Sequence, residues 1–317
     1  MKSILTVTSS PHIKHVDTTS GIMMDVVIAL LPACVFGCIL FGFSAAAVLV
    51  TCVASAVLSE FLWCLILKKP HTIGDFSAVV TGLLLGMNLP PTLPLWMAAI
   101  GSMAAIIVVK QMFGGLGCNF ANPAITARII LLVSFAGSMT VYVEPVADTV
   151  TSATPLTYIS QSASAQMMPT VKNLFFGMHS GCIGETSAFL LLVGGLYLVL
   201  RRVISPITPI CFIGTVALLS FISGDNVSIA VFGGGLMLGA IFMATDYATT
   251  PTTLTGKLIF GIGCGLITFV IRKFAAVPEG VSYSILIMNI LTPYINKFTL
   301  SKPFGYVKPA KEEKVNG

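Results

Sequence analysis

The chain has 317 residues, of which 56% are hydrophobic and only 9% are charged, and its mean hydropathy is +0.96. A soluble domain carries roughly 25% charged residues, so this composition excludes most soluble enzyme folds, a disordered chain and a disulfide-rich secreted scaffold. The net charge of +5 means little until the charged residues are assigned to the two sides of a membrane. The composition therefore predicts an all-α, polytopic membrane protein.

Apolar segments follow one another along the chain, and a Ser- and Thr-rich stretch near the middle divides them into two sets. The predicted spans are 22–41, 44–67, 75–89, 94–112 and 122–137, and then 185–200, 207–222, 227–245, 256–271 and 282–298. Several of these are shorter than the roughly 20 residues of a full crossing and contain glycine, so we expect some short or broken helices. We expect no cleavable signal peptide, because the first apolar run lacks a convincing cleavage site.

Five spans before the central loop and five after it give two halves of opposite orientation, about ten transmembrane helices in all. The predicted organisation is a cytoplasmic segment 1–20, a first repeat 21–137, an extracytoplasmic loop 138–184, a second repeat 185–298 and a cytoplasmic tail 299–317. A weak likeness supports the repeats, because Gly74-Asp75 and Gly224-Asp225 each open a glycine-punctuated apolar run that closes in a Thr/Pro break. Inverted repeats with broken helices are common where a site lies between the halves.

The distribution of Lys and Arg predicts the orientation of the chain. If both termini are cytoplasmic, thirteen basic residues lie at the cytoplasmic ends of the spans and three lie outside, with Arg128 inside a span. The three outer residues are Lys172, Arg272 and Lys273. This asymmetry favours an N-in, C-in protein, with the loop 138–184 outside the cytoplasm.

A polar cluster with the sequence KQMFGGLGCNFANPA interrupts the first repeat at residues 110–124. Asn122 followed by Pro123 is typical of a helix start, whose free backbone N–H groups attract anions. The cluster therefore indicates either a cofactor cradle or a tight re-entrant turn that leads into a capped helix. For Gly114 and Gly115 the turn is the favoured interpretation, since their spacing is not that of a dinucleotide-binding loop.

A second polar cluster, MATDYATTPTT at 243–253, places Asp246 at the end of an apolar run. Acids at membrane depth are costly and are functional candidates by default. Asp25, Glu60, Asp75, Asp225 and Asp246 all lie at or near spans. We select Asp75 and Asp246 as contacts for an ion or a cofactor, together with Asn122, because they adjoin the Thr- and Gly-rich breaks. The eight cysteines and four histidines show no pattern of metal ligands, so no metal site is predicted.

The third polar cluster is DTVTSATPLT, at residues 148–157 in the predicted outer loop. Ser and Thr beside a proline usually form a turn, and no general base stands nearby. However, the motif Asp148-x-x-Thr151-Ser152-Ala153-Thr154 resembles the flavin-attachment motif of the NqrB/RnfD family. Those proteins are membrane subunits of the sodium-pumping NADH:quinone reductase and of the Rnf complex.

The resemblance covers nearly the whole chain, since SSPHIK at 9–14, GDFSAVVTGLLLGMNLPP at 74–91, FGGLGCNFANPAITAR at 113–128 and MATDYATTPT at 243–252 also match. The short chain is more similar to the Rnf-type members. The resemblance implies that Thr154 carries covalent FMN through a phosphoester, installed by a flavin transferase on the outer side of the bacterial inner membrane. Ser152 departs from the frequent Gly of the motif but remains small.

The resemblance implies a redox subunit of an ion-translocating complex. Electrons would pass between ferredoxin and NAD through Fe–S and flavin subunits, coupled to movement of Na⁺ or H⁺. The chain would not be catalytic alone, and a second, noncovalent flavin, riboflavin, could be bound. Two alternatives remain open, a channel or solute transporter with inverted five-helix repeats and a subunit of a sodium-pumping NADH:quinone reductase.

Overall fold

The computed structural model describes residues 18–68, 72–143, 155–156, 170–275 and 279–300, and its regular elements there are helical. In the first half the α-helices are α1 (Thr19–Ile66), α2 (Ser77–Met87), α3 (Leu95–Met103), α4 (Pro123–Ser134) and α5 (Ala136–Met139). After the central loop they are α6 (Val171–Phe176), α7 (Ala188–Leu200), α8 (Ile207–Ile222), α9 (Val227–Phe232), α10 (Leu236–Leu238), α11 (Leu254–Phe274) and α12 (Val281–Thr299).

The first helix, α1, is two membrane-length arms joined at a break. Its 48 residues would extend about 72 Å at 1.5 Å per residue, more than twice the hydrocarbon thickness of a bilayer. Gly42 interrupts the helix with φ 70° and ψ −155°, a region of backbone space that is essentially restricted to glycine. The two arms correspond to the spans predicted at 22–41 and 44–67.

Two helices in the described part of the chain, α1 and α11, are long and apolar enough to cross a membrane by themselves. Shorter apolar helices accompany them, namely Ser77–Met87, Leu95–Gln111, Pro123–Ser134, Ala188–Leu200 and Ile207–Ile222. The expectation of short helices is therefore confirmed.

Two helices change register to the wider π form near their ends. The helix that begins as α3 continues as a π-helix over Ala104–Gln111, and α10 continues as a π-helix over Gly239–Met243. The predicted span 227–245 is thus a broken helix made of α9, a turn at residues 233–235, and α10 with its π segment. π segments inside helices frequently mark functional positions.

Glycine allows helices to approach each other closely in each half. A Cβ on Gly82 of α2 would lie 2.8 Å from the Cα of Val53 in α1, so the two backbones touch there. A Cβ on Gly261 of α11 would lie 2.9 Å from the carbonyl oxygen of Thr208 in α8. Such contacts between small residues are the usual way in which helices pack in lipid.

Candidate functional site

A buried ion pair joins α1 to the π segment after α3. Glu60 is 0% exposed and Lys110 is 1% exposed. The ammonium Nζ of Lys110 donates to both carboxylate oxygens of Glu60, at 2.8 and 2.9 Å, and to the Ser77 hydroxyl at 2.6 Å. All three of its hydrogens therefore have acceptors, which compensates for taking the charge out of water.

Two further side chains, Gln111 and Thr72, join Glu60, Lys110 and Ser77 in what we call the inner cluster. Gln111 donates to Glu60 Oε1 at 2.9 Å, and the Thr72 hydroxyl donates to the same oxygen at 2.7 Å. The π register helps here, because it brings the consecutive residues Lys110 and Gln111 onto one carboxylate. Asp75 accepts from the Ser77 backbone N–H at 2.8 Å and from its hydroxyl at 2.5 Å, so this acid reaches the cluster only through Ser77.

A cleft lies beside the inner cluster and between the two halves of the chain. Its cavity volume is about 80 Å³. Its lining includes Lys110 and Ser77 from the inner cluster, Asn119 and Asn122 from the polar stretch 110–124, and Asp246 from the second half. The structure thus brings together two of the three residues selected from sequence, Asn122 and Asp246, whereas Asp75 does not line the cleft.

Asn122 has two roles at this cleft. Its side-chain oxygen accepts from the backbone N–H of Ala124 at 3.0 Å and of Ile125 at 3.4 Å, which confirms the predicted cap of α4. Its amide nitrogen donates to the Met243 carbonyl at 3.2 Å, at the end of the second π segment. One side chain therefore fixes a helix start in the first half and a helix end in the second.

Asp246 and Asn119 supply further polar groups of the cleft. The carboxylate of Asp246 accepts from the Thr249 hydroxyl at 3.0 Å. The side-chain oxygen Oδ1 of Asn119 is buried and has no hydrogen-bond partner in the described part of the chain. The cleft therefore presents a carboxylate and amide groups that a polar ligand or an ion could contact.

A second charged cluster lies around Arg128, which sits in α4 and is 4% exposed. Its guanidinium pairs with Glu279 through both terminal nitrogens and with Glu185 at 3.5 Å. It also donates to the side-chain oxygens of Asn88, at 2.9 Å, and Ser282, at 3.2 Å. These five residues are called the outer cluster. Arg128 and Asn88 belong to the first half, and Glu185, Glu279 and Ser282 belong to the second, so the cluster joins the halves.

The structure describes the two residues that follow the proposed attachment motif, Pro155 and Leu156. Both are buried, and Leu156 is only 4% exposed. The Leu156 side chain packs at Gly234, in the turn between α9 and α10, and a Cβ on Gly234 would collide with it. Arg272 donates to the end of α9 and to this turn, through Nη1 to the Ala230 carbonyl at 2.6 Å and through Nη2 to the Gly233 carbonyl at 3.5 Å.

The motif residues Asp148, Thr151, Ser152, Ala153 and Thr154 themselves lie outside the described residues. Of the other acids near spans, Asp25 pairs with Arg201 at 3.2 Å and Asp225 pairs with Lys273 at 2.9 Å, both with partly exposed partners. Sequence reasoning missed the importance of Glu60, Lys110, Arg128, Glu185 and Glu279. Their spacing in sequence gives no sign that they meet.

The segment before α7 carries one buried histidine. His179 is 6% exposed, and burial lowers the pKa of its imidazole to about 4. The ring is therefore neutral at pH 7. Within the described ranges no group of His, Cys, Asp and Glu is arranged to hold a metal ion.

Known proteins resemble this chain along nearly its full length. A model of the NQR2, RnfD, RnfE family matches residues 6–305. The D subunit of the Na(+)-translocating ferredoxin:NAD(+) oxidoreductase complex of Acetobacterium woodii is 48% identical over 98% of this chain and 98% of its own. The D subunit of the proton-translocating ferredoxin:NAD(+) oxidoreductase complex of Clostridium ljungdahlii is 43% identical over 96% and 97%. The D subunit of the ion-translocating oxidoreductase complex of Stutzerimonas stutzeri is 36% identical over 90% and 91%.

Proposed function

The chain belongs to the NQR2, RnfD, RnfE family, and we propose that it is the D subunit of an ion-translocating ferredoxin:NAD⁺ oxidoreductase complex. The observation that carries this assignment is the match of 48% identity over 98% of both chains, which leaves almost no region of the relative without a counterpart here. The other subunits of such a complex are its partners. Ferredoxin and NAD would react with those subunits, which carry Fe–S clusters and flavin.

We propose further that Thr154 carries FMN through a phosphoester, attached by a flavin transferase outside the cytoplasm. FMN supplies the electron-transfer chemistry, while the chain fixes its position. Two observations support this. The threonine hydroxyl is the group that a phosphoester needs, and the adjacent residues Pro155 and Leu156 are anchored in the fold. Leu156 packs at Gly234, and the next residue, Gly235, adjoins the outer cluster around Arg128.

The cleft between the halves is a candidate place for a second flavin, riboflavin, because polar side chains line it. Asn119, Asn122 and Asp246 offer the amide and carboxylate groups that would bind the polar edge of a flavin ring. The fit is partial, because a cavity of about 80 Å³ equals the volume of only two or three water molecules. Binding of a flavin there therefore requires the surrounding side chains to move apart.

The same cleft is the candidate contact for the translocated ion. Asp246 lines it, and the cleft lies between two halves that we propose to be inverted five-helix repeats. The Acetobacterium woodii relative belongs to a Na(+)-translocating complex and the Clostridium ljungdahlii relative to a proton-translocating one, so both ions have to be measured. We expect Asp246→Asn to lower ion transport by the reconstituted complex several-fold. Asp75→Asn is the matched comparison for this variant, since the Asp75 carboxylate accepts hydrogen bonds from Ser77 and does not line the cleft.

Detection of covalently bound flavin would distinguish a redox subunit from a channel or solute transporter. The chain is expressed with a flavin transferase and run on a denaturing gel, where a covalently flavinylated protein fluoresces. Mass spectrometry of the peptide that contains Thr154 should show the mass of FMN minus one water, because esterification releases water. Thr154→Ala should remove both the fluorescence and the added mass.

The neighbouring threonines provide matched controls for this experiment. Thr151→Ala and Thr157→Ala change the same side chain nearby and should leave the mass increase on Thr154 intact. Fluorescence that survives in Thr154→Ala and disappears in one of the controls would move the attachment to that residue. A wild-type chain that stays without flavin beside an active transferase would contradict the electron-carrier function.

A further inference from the structure

The outer cluster contains two carboxylates around Arg128, and they are bound unequally. Glu279 accepts from both terminal nitrogens of Arg128, at 2.5 Å for the Nη1 contact to Oε1. The same two nitrogens also donate hydrogen bonds to the side chains of Asn88, Ser282 and Cys182. Glu185 is left with a 3.5 Å ion-pair contact, which lies at the limit of a hydrogen bond.

Glu185 is buried and incompletely bound. It is 6% exposed, and its oxygen Oε1 has no hydrogen-bond partner among the residues that the structure describes. Its other oxygen accepts a long bond of 3.4 Å from the Cys182 backbone N–H. A buried, ionised carboxylate requires strong donors, and an oxygen without one is costly in the charged form.

The unbound oxygen of Glu185 and one carboxylate oxygen of Glu279 both lie beside Gly235. The point where a Cβ on Gly235 would lie is 2.6 Å from Oε1 of Glu279 and 3.1 Å from Oε1 of Glu185. Because Gly235 has no side chain, nothing from this residue separates the two oxygens. Two carboxylates that close favour binding of one proton over double ionisation.

The other titratable groups around Glu185 do not remove this need for a proton. Arg272 is the second guanidinium nearby, but it donates to the backbone carbonyls of Ala230 and Gly233. Tyr142 and Cys182 also face the cluster, and both are neutral acids that add no positive charge. Arg128 is thus the cation that contacts both carboxylates.

We propose that Glu185 is a proton-binding residue of this membrane domain, carrying a proton at neutral pH while Glu279 holds Arg128. Its ionised form gains a full partner only when Glu279 leaves the guanidinium, so the proton is released when that pair opens. Because Arg128 lies in the first half and both carboxylates in the second, proton release is linked to the contact between the halves. The proposal does not depend on attached flavin.

Infrared spectroscopy of the full-length chain in detergent at pH 7 tests this. A protonated carboxyl group has a C=O stretch above the amide I band that shifts to lower frequency in D₂O. We expect Glu185→Gln to remove one such band. Glu279→Gln should remove the same band, because Arg128 then has Glu185 as its remaining carboxylate and Glu185 ionises.

Asp246→Asn and Asp225→Asn are the controls, since neither acid is among the described partners of Arg128, and both variants should retain the band. Glu185→Asp keeps a carboxyl group and should shift the band without removing it, which preserves the test if the glutamine variant is unstable. A band that persists in Glu185→Gln, or the absence of any such band in the wild-type chain, would overturn the proposal. The chain is prepared without flavin, so these outcomes are separate from the fate of the Thr154 assignment.

Discussion

The Glu60–Lys110 pair shows how a buried charge is accommodated inside an apolar bundle. Each partner compensates for the desolvation of the other, with Ser77, Thr72 and Gln111 completing the hydrogen bonds. We expect Lys110→Met to destabilise the protein by about 3–5 kcal/mol, because it leaves the Glu60 carboxylate buried without a cation. Thermal unfolding of the purified chain in detergent measures the effect.

A double variant distinguishes the unpaired charge from lost packing. Lys110→Met combined with Glu60→Gln removes both charges and should recover most of the lost stability, since no ion then remains without a partner. If the double variant is as unstable as Lys110→Met or worse, the ion pair is not the cause of the destabilisation.

We expect the thermal stability of the protein to depend on pH through His179, which lies outside the helices. Burial lowers its pKa to about 4 from the usual 6.5, so the unfolded chain binds a proton more readily than the folded one. The stability linked to this neutral ring is therefore full above pH 6.5 and is lost as the pH falls towards 4. We expect the wild-type chain to lose more thermal stability between pH 7 and pH 5 than His179→Gln, which has no titrating ring. Equal losses in the two proteins would mean that His179 is solvated.

At the level of residues, the sequence predicts what depends on neighbours in the chain. Asn122 before Pro123 is recognisable as a helix cap because both the cap and the capped N–H groups lie within three residues. In the sequence Glu60 is only one of five acids at or near the predicted spans, because its partner Lys110 is 50 positions away. The hydropathy pattern places Lys110 at a cytoplasmic helix end, whereas it is 1% exposed and paired.

At the level of elements, the break in α1 depends on one backbone position. Gly42 has φ 70° and ψ −155°, and a Cβ there would meet nothing within 4 Å, so the cost of a side chain is conformational and not steric. We expect Gly42→Ala to destabilise the protein by about 1–3 kcal/mol in thermal unfolding, because alanine rarely adopts this conformation.

Gly214 is the matched control for this prediction. It lies inside α8, has no atom within 4 Å of an added Cβ and does not have a positive φ. Gly214→Ala should therefore be neutral or stabilising by up to about 1 kcal/mol. A similar loss of stability in both variants would show that the Gly42 conformation is not required for the turn between the two arms of α1.

Hydropathy locates the elements well and their internal geometry poorly. The glycines in 227–245 correctly indicate a broken helix, because glycine weakens a helix wherever it stands. The two π segments cannot be predicted from apolar patterns, since a π register arises from the contacts that a helix end makes. At 104–111 those contacts are with Glu60, and at 239–243 they include Asn122.

At the level of the whole molecule, the outer cluster and the cleft lie where the two halves of the chain meet. The inner cluster belongs to the first half and adjoins the cleft through Lys110 and Ser77. Arg128 and Asn122 each cross from the first half to the second through hydrogen bonds. Such cross-links between otherwise apolar halves resist separation only while each partner is satisfied. An arrangement of this kind supports the proposed inverted repeats, in which a site between the halves can respond to their relative movement.

The excess of Lys and Arg on one side makes the orientation testable with a membrane-impermeant maleimide. Cys118 is an exposed native thiol in the segment before α4, which the charge distribution assigns to the cytoplasm. It should react only after the membrane is permeabilised. In a Cys118→Ser background, Ser164→Cys should react in intact cells, because residue 164 belongs to the proposed outer loop. Lys314→Cys in the same background should react only in permeabilised cells.

The Cys118→Ser chain without an added cysteine controls for the remaining native thiols, which are buried or only partly exposed in the bundle and should stay unlabelled. Labelling of Lys314→Cys and not Ser164→Cys in intact cells would invert the orientation. Thr154 would then face the cytoplasm, on the side opposite to the one on which the proposed flavin transferase acts, so the topology and the covalent flavin would fail together.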